Sequence, residues 1–196
     1  MTDEQAVQPF APREVTTRDG VRLLARPLTP DDASVWADHV RDDLEHLGAH
    51  LGWPARTVEP NAARDFIEQY RRRVDGRELL VGAFDGKRLV AGTLLMTYDR
   101  MAGSIELGCW VISDFEGRGL VRRLCLELIG HAHHALSVHR VTWEAATENP
   151  RSRALALRLG FVYEGTQREA GLHEGRRLDL DLLSLVGVEI ERALGS

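Results

Sequence analysis

The chain has 196 residues, 43% of them hydrophobic, with a formal net charge of −5 and 8 histidines. A length of this order buries a proper core as one domain, and the apolar share is that of an ordinary globular protein. No run approaches the roughly 18 consecutive apolar residues of a membrane span, and the arginines at 71–73, running into Val74 and Asp75, read as a solvated helix face rather than a basic tract, so neither a membrane nor nucleic acid is expected as a partner.

Met1 to Pro12 has neither a basic start nor an apolar block, so it reads as a flexible tail and not as a targeting signal. "EVTTRDGVRLLARPL" places an Asp19-Gly20 turn between two β-type runs, a hairpin signal. Thr29 then suits an N-cap, with Pro30 as first helical residue and Asp31 and Asp32 at the positive end of a helix running to about Val40. Asp42 to Leu51 continues as a second helix broken near Gly48 and Gly52, and Pro60 to Val74 carries Ala63, Phe66, Ile67 and Tyr70 at helical spacing. A second hairpin surrounds Asp85-Gly86, and Ser104 to Ile112 is a further strand. Strict alternation on that strand puts Glu106, Gly108, Trp110 and Ile112 on one face, with Gly108 opening room beside Glu106.

From Leu120 to Leu136 the apolar positions form a continuous helical stripe. "RVTWEAA" (140 to 146) is a short strand, "PRSRALALRLG" a helix stopped by Gly160, "FVYEG" a strand, and "RRLDLDLLSL" a closing strand, with a short helix allowed in the tail from Val186 to Leu194. Hairpins followed by strand-helix-strand-helix-strand predict a mixed sheet with helices on its faces, an α/β or α+β sandwich. Cys109 and Cys125 fall in apolar segments without CxxC spacing and read as reduced core thiols, which favours a cytoplasmic protein.

The segment "ISDFEGRGLVRRL" puts Gly117 and Gly119 where a strand hands over to the longest helix. Glycine bends the backbone there without steric cost and leaves the first amides of the helix unpartnered, an anion site reinforced by the helix dipole. Arg118, Arg122 and Arg123 add positive charge around the turn, and Glu116 is expected to point away from it. A surface turn that merely needs glycine explains a lone GxG as well. The phosphate-loop GxxxxGK[ST], the dinucleotide GxGxxG and the hydrolase GxSxG are absent.

"ELGCWVISDFEGRGLVRRLCLELIGHA", "HRVTWEAATENPRSRALALRLGFVYEG" and "GLHEGRRLDLDLLSL" together resemble the GNAT superfamily of acyl-CoA-dependent N-acyltransferases, and within it the Rim-type branch that acetylates protein N-termini and related amines. The resemblance covers roughly residues 13 to 185 as one domain, with 186–196 as a tail. It implies a mixed, mostly antiparallel sheet whose two central parallel strands splay apart to admit the pantetheine arm of acetyl-CoA, no metal, an amine-bearing acceptor and a homodimer. The family pattern Q/R-x-x-G-x-G/A falls on Glu116, Gly117, Arg118, Gly119, Leu120 and Val121, and departs from it at the first and last positions. By the same resemblance, amides from Gly117 to Val121, with Arg118 and Arg122 nearby, bind the diphosphate, main-chain groups of Trp110 and Val111 pair with pantetheine, and Asn149 with Ser152 holds its far end. Asn149-Pro150 equally suits a helix cap.

Acyl transfer from a thioester needs a neutral amine, oxyanion stabilisation and a proton for the thiolate. Glu106 matches the strand glutamate that many superfamily members use as base, and a salt-bridged structural glutamate is the competing reading. The tyrosine that protonates the thiolate in many relatives is replaced by Ala156, so Ser152 becomes the candidate donor, Tyr163 a weaker one, and proximity without an acid a third possibility. The oxyanion is assigned to a main-chain N–H near Val111. The acceptor side is expected from the first two helices and the loop between the last strands, with Trp36 and Trp53 as candidate pocket walls. The acidic stretch Asp38, Asp42, Asp43 and Glu45 suits either a cationic substrate or a solvated helix face. His39, Asp43, His46 and His50 have helical spacing but match no metal motif, and His131, His133 and His134 suit a helix C-terminus. The departures at Glu116, Val121 and Ala156 also permit a non-catalytic acyl-CoA-binding or regulatory module.

Overall fold

The computed structural model describes residues 9–72 and 79–195; the first eight residues of the expected tail, and the third arginine of 71–73 with Val74 and Asp75, lie outside them. Two hairpins open the chain: β1 (Arg13–Thr16) with β2 (Arg22–Pro27), and β3 (Leu79–Asp85) with β4 (Arg88–Asp99). Between them come α1 (Ala33–Asp42), α2 (Leu44–Gly48) and α3 (Pro60–Arg72). A 3-10 turn at Pro30–Asp32 leads into α1, and the Asp32 carboxylate accepts from the Thr29 amide at 2.8 Å and from the Arg26 guanidinium. The second half runs β5 (Ser104–Val111), α4 (Leu120–Leu136), β6 (Arg140–Ala146), α5 (Pro150–Arg158), β7 (Val162–His173), β8 (Arg176–Val186) and α6 (Val188–Leu194).

These strands form one eight-stranded sheet in the order β1-β2-β3-β4-β5-β6-β8-β7, antiparallel at every step except β5 to β6. The parallel pair is short. It registers only Ser104 with Arg140, Ile105 with Val141 and Glu106 with Thr142. Beyond these residues β5 stays paired with β4 as far as Val111, and β6 stays paired with β8 as far as Ala146, so the two strands diverge and a wedge opens between them. This is the splayed sheet that the resemblance implies.

Helices cover both faces. On one face α4, α5 and α6 bury Leu124, Leu128, Ala156 and Ile190 with Leu95, Ile105 and Trp143 from the strands. On the other, α1 and α3 bury Trp36, Val40, Ala63 and Ile67 against Leu80, Leu94 and Trp110. The 2-residue side-chain period of β5 therefore feeds two cores, with Ile105 and Leu107 on the α4 side and Trp110 on the α1 side. Ile112 breaks the expected alternation: the strand ends at Val111, a 3-10 turn follows, and Ile112 joins the α4-side core.

Other differences have similar causes. Phe10, in the stretch expected to be a loose tail, is buried edge-on to His131, with the Arg13 guanidinium over its ring. β7 extends to His173, well past the expected "FVYEG", because register shifts after Tyr163 and Gln167 let an otherwise unreadable polar stretch keep pairing with β8. The loop between the last strands, expected to serve the acceptor side, is thus a turn at Glu174 and Gly175.

His39 pins α1 to the sheet. Its Nδ1 lies 2.8 Å from the Leu89 carbonyl, and the Trp110 indole donates to its Nε2 at 3.0 Å. An indole N–H only donates, so Nε2 is the acceptor and Nδ1 carries the proton. The ring is neutral, and burial lowers its pKa to about 4. Trp110 in turn packs against Gly92 of β4, where a Cβ would fall 2.2 Å from the indole.

Two predictions follow from this anchor. The unfolded chain protonates His39 below about 6.5 while the folded protein stays neutral to about 4, so folding stability is complete above 6.5 and falls with pH inside that window. By pH 5 the loss is about 2 kcal/mol, and urea unfolding of His39→Gln shows this acid sensitivity removed. Gly92→Ala forces the Trp110 indole out of place and lowers stability by about 1–3 kcal/mol, read as a drop in melting temperature.

Candidate active site

The wedge continues into a cavity of ≈ 680 Å³ bounded by the β5–β6 gap, the turn before α4, the start of α5 and the end of α2. Of the residues expected to form the site, Glu106, Trp110, Val111, Gly117, Gly119, Leu120, Val121, Arg122, Asn149 and Ser152 all line it. Trp36 and Trp53 do not. Their rings lie 4.9 Å apart, tilted by 44°, with the Trp36 ring 5.4 Å and the Trp53 ring 5.5 Å from that of Trp110, and so back the cavity wall instead of forming it.

The turn before α4 has the expected form. Gly117 and Gly119 take φ of 72° and 76°, in the left-handed region that a side chain disfavours. Gly119 is the N-cap and offers no side chain to the first turn, so the amides of Leu120 and Val121 have no helical carbonyl to meet and face a pocket at the positive end of a 17-residue helix. The flanking charges differ from expectation. Arg118 turns back onto Asp19 at 3.3 Å and over the Phe115 ring, outside the cavity, and Arg123 pairs with Glu127. Glu116, expected to point away, faces the cavity, where Arg151 at the start of α5 pairs with it at 2.5 Å and His46 Nε2 of α2 lies 3.4 Å from it.

The hydrogen-bond direction of β5 also corrects the reading of its main chain. The Gly103 carbonyl accepts from the His139 and Arg140 amides, and the Ile105 carbonyl from the Thr142 hydroxyl, so odd-numbered residues turn their peptide groups toward β6. Ile112 donates to Val90 of β4, and in an antiparallel ladder every second residue repeats that direction. Trp110 therefore uses its peptide groups on β4, while Cys109 and Val111 present theirs to the wedge. The Val111 carbonyl already accepts from His46 Nε2 at 3.2 Å, leaving the Val111 N–H available.

Glu106 is half-buried at the crotch of the wedge, where the Thr97 hydroxyl donates to it at 3.1 Å. Burial first, and the nearby Glu144 carboxylate second, raise its pKa above the ordinary 4.5. No cation pairs with it among the described residues, which disfavours the salt-bridge reading. The room expected beside Gly108 is filled by Leu94 and Met96 from β4, so the space next to Glu106 opens toward β6.

Ser152 sits in the first turn of α5. Its amide donates to Asn149 Oδ1 at 3.0 Å, so Asn149 is a helix cap whose NH₂ remains unassigned. The buried Trp143 indole donates to Ser152 Oγ at 3.0 Å. Tyr163, the alternative acid, bonds Thr166 at 2.7 Å and lies outside the cavity.

The histidine and acidic clusters disperse. His39 is a core residue, Asp43 accepts from the Ser113 amide and hydroxyl, Asp38 pairs with Arg41, and His46 and His50 reach the cavity. Among the described residues no group of three metal-ligating side chains assembles. Cys125 is buried as expected, its thiol pushed up by burial and by Cys109, whereas Cys109 is only half-buried and lines the cavity. Arg18, Trp143 and Arg151 are cavity residues that the sequence did not point to, and His46 was singled out only as part of a histidine cluster. Of the first three, only Trp143, on the inward phase of its strand, carried any signal.

Comparison with known proteins agrees with this geometry. Residues 22–162 match the family described as Acetyltransferase (GNAT) domain. The chain is 29% identical over 178 residues, 90% of this chain and 97% of the other, to a Bacillus subtilis protein named "Putative ribosomal N-acetyltransferase YdaF". Among solved structures it superposes on ribosomal-protein-S5-alanine acetyltransferase from Vibrio fischeri with a TM-score of 0.81 at 18% identity, over 90% of this chain and 97% of that one. Mycobacterium smegmatis RimJ in complex with CoA-disulfide gives 0.80 at 21%, over 94% and 92%. Sequence family, sheet topology and wedge thus converge, and the chain belongs to the GNAT acetyltransferase family.

Proposed function

We propose that this acetyltransferase moves the acetyl group of acetyl-CoA, or a related acyl group, onto the primary amine of a protein N-terminus or small molecule by direct attack in a ternary complex. It acts as a cytoplasmic homodimer, with residues 13–185 as the transferase domain. The observation that carries this reading is the wedge, where a carboxylate of raised pKa, a serine hydroxyl and an uncapped helix N-terminus line one cavity. A relative named for ribosomal N-acetylation and a neighbour holding a CoA disulfide support it.

In this reading the α4 amides and Arg122 hold the diphosphate, and the peptide groups of Cys109 pair with the pantetheine arm, which leaves the Val111 N–H for the acyl group. Glu106 takes a proton from the acceptor ammonium, directly or through water, and its raised pKa makes it a stronger base than an ordinary carboxylate. The freed amine attacks the thioester carbonyl carbon, the Val111 N–H stabilises the oxyanion, and the C–S bond breaks as the intermediate collapses. The thiolate needs a proton. Because an indole N–H can only donate, the Trp143 contact occupies an acceptor lone pair of Ser152 and leaves the hydroxyl hydrogen for another partner. Ser152 gives that hydrogen to sulfur and regains one from the proton carried off the amine.

Mass spectrometry of an acyl-CoA and amine library incubated with the protein identifies the pair used; absence of any acylated product overturns the function. With that pair, Glu106→Gln lowers turnover about 100-fold, and unchanged turnover from pH 6 to 9 ends its role as base. Glu144→Gln removes a charge that raises the Glu106 pKa, so the acid limb of the rate profile moves to lower pH. Ser152→Ala lowers kcat at an unchanged KM for acetyl-CoA, Trp143→Phe acts in the same direction, and the double variant is no slower than Ser152→Ala alone. Full turnover in Ser152→Ala excludes it as proton donor.

A further inference from the structure

One cation beside the glycine turn comes from a distant part of the chain. Arg18 sits at the apex of the β1–β2 hairpin, which is docked on the turn by two bonds: the Arg18 amide donates to the Arg118 carbonyl at 2.9 Å, and Asp19 receives the Arg118 guanidinium at 3.3 Å. The Arg18 side chain then lies along Gly119. A Cβ on Gly119 would stand 3.0 Å from both Cγ and Nε of Arg18, which shows how closely this side chain follows the turn. Arg18 is exposed, lines the cavity, and pairs with no carboxylate among the described residues.

We propose that Arg18 forms the outer wall of the phosphate cradle and binds the diphosphate of CoA from the side opposite the α4 amides. The inference rests on the reading that this turn holds the diphosphate, and it adds a cation that the glycine motif does not contain. Arg118, the cation within that motif, is held away by Asp19 and Phe115, and the Glu116 carboxylate beside the turn is paired with Arg151. An arginine fork matches two phosphate oxygens at once, and a guanidinium without an internal partner surrenders no ion pair when the anion arrives. The position of Nε beside Gly119, at the first free amides, selects the diphosphate over the ribose 3′-phosphate. The hairpin is therefore part of the binding site as well as the edge of the sheet.

Isothermal titration of the full chain with CoA, 3′-dephospho-CoA and pantetheine tests this without knowledge of the acceptor. Arg18→Ala weakens CoA and dephospho-CoA alike by about tenfold, leaves pantetheine unchanged, and keeps the ligand-free melting temperature, since its main-chain bond to Arg118 survives. Arg18→Lys, which keeps the charge without the fork, falls between. Loss confined to CoA assigns the residue to the 3′-phosphate and overturns the proposal. So does unchanged affinity in Arg18→Ala when the native protein prefers dephospho-CoA to pantetheine. If the native protein binds dephospho-CoA and pantetheine equally, the diphosphate reading of the turn fails first, and the Arg18 proposal with it.

Discussion

Everything at the site depends on where β5 and β6 stop pairing. Each strand is held along its outer edge, β5 by β4 and β6 by β8, and those ladders continue after the inner one ends at Glu106 and Thr142. The peptide groups of Cys109 and the N–H of Val111 are left facing a gap in the middle of a sheet, where buried polar groups otherwise find partners. A ligand able to offer alternating donors and acceptors replaces the missing ladder. The same divergence separates the two parallel strands enough for a cavity to run from Glu106 at the crotch to the start of α4 at the mouth.

The two tryptophans on these strands stiffen the gap in different ways. Trp110 points to the α1 face, packs over Gly92 and donates to His39, which donates onward to Leu89. That chain ties α1, β4 and β5 together directly behind the cavity wall. Trp143 points to the α4 face and donates to Ser152 at the start of α5, fixing the serine relative to β6. A rigid indole on each strand thus sets one side of the wedge, and the polar end of each ring decides which way its partner presents hydrogens.

Charge at the cavity mouth is arranged by elements distant in sequence. Glu116 occupies a position where the family pattern has glutamine or arginine, and the fold answers with Arg151 from α5 and His46 from α2. These contacts bridge the glycine turn to both flanking helices, so a departure within the motif is compensated by residues outside it. The β1–β2 hairpin adds its own contacts to Arg118 from the sheet edge.

Local signals in the sequence determined the hairpin turns, the long α4 stripe, the left-handed glycines and the mixed sheet, because each rests on residues within a few positions of one another. That Glu106, Ser152 and the glycine turn line one cavity agrees with strand alternation and with the family resemblance that singled them out. Tertiary structure alone decided which edge of β5 is open, since hydrogen-bond direction depends on register with β4 and β6. It also turned Glu116 inward, moved Trp36 and Trp53 behind the wall, filled the space beside Gly108, and extended β7 through two register shifts. In each case the deciding partner lies on another element, and a linear pattern holds no record of which side chains three-dimensional packing brings within a few ångströms.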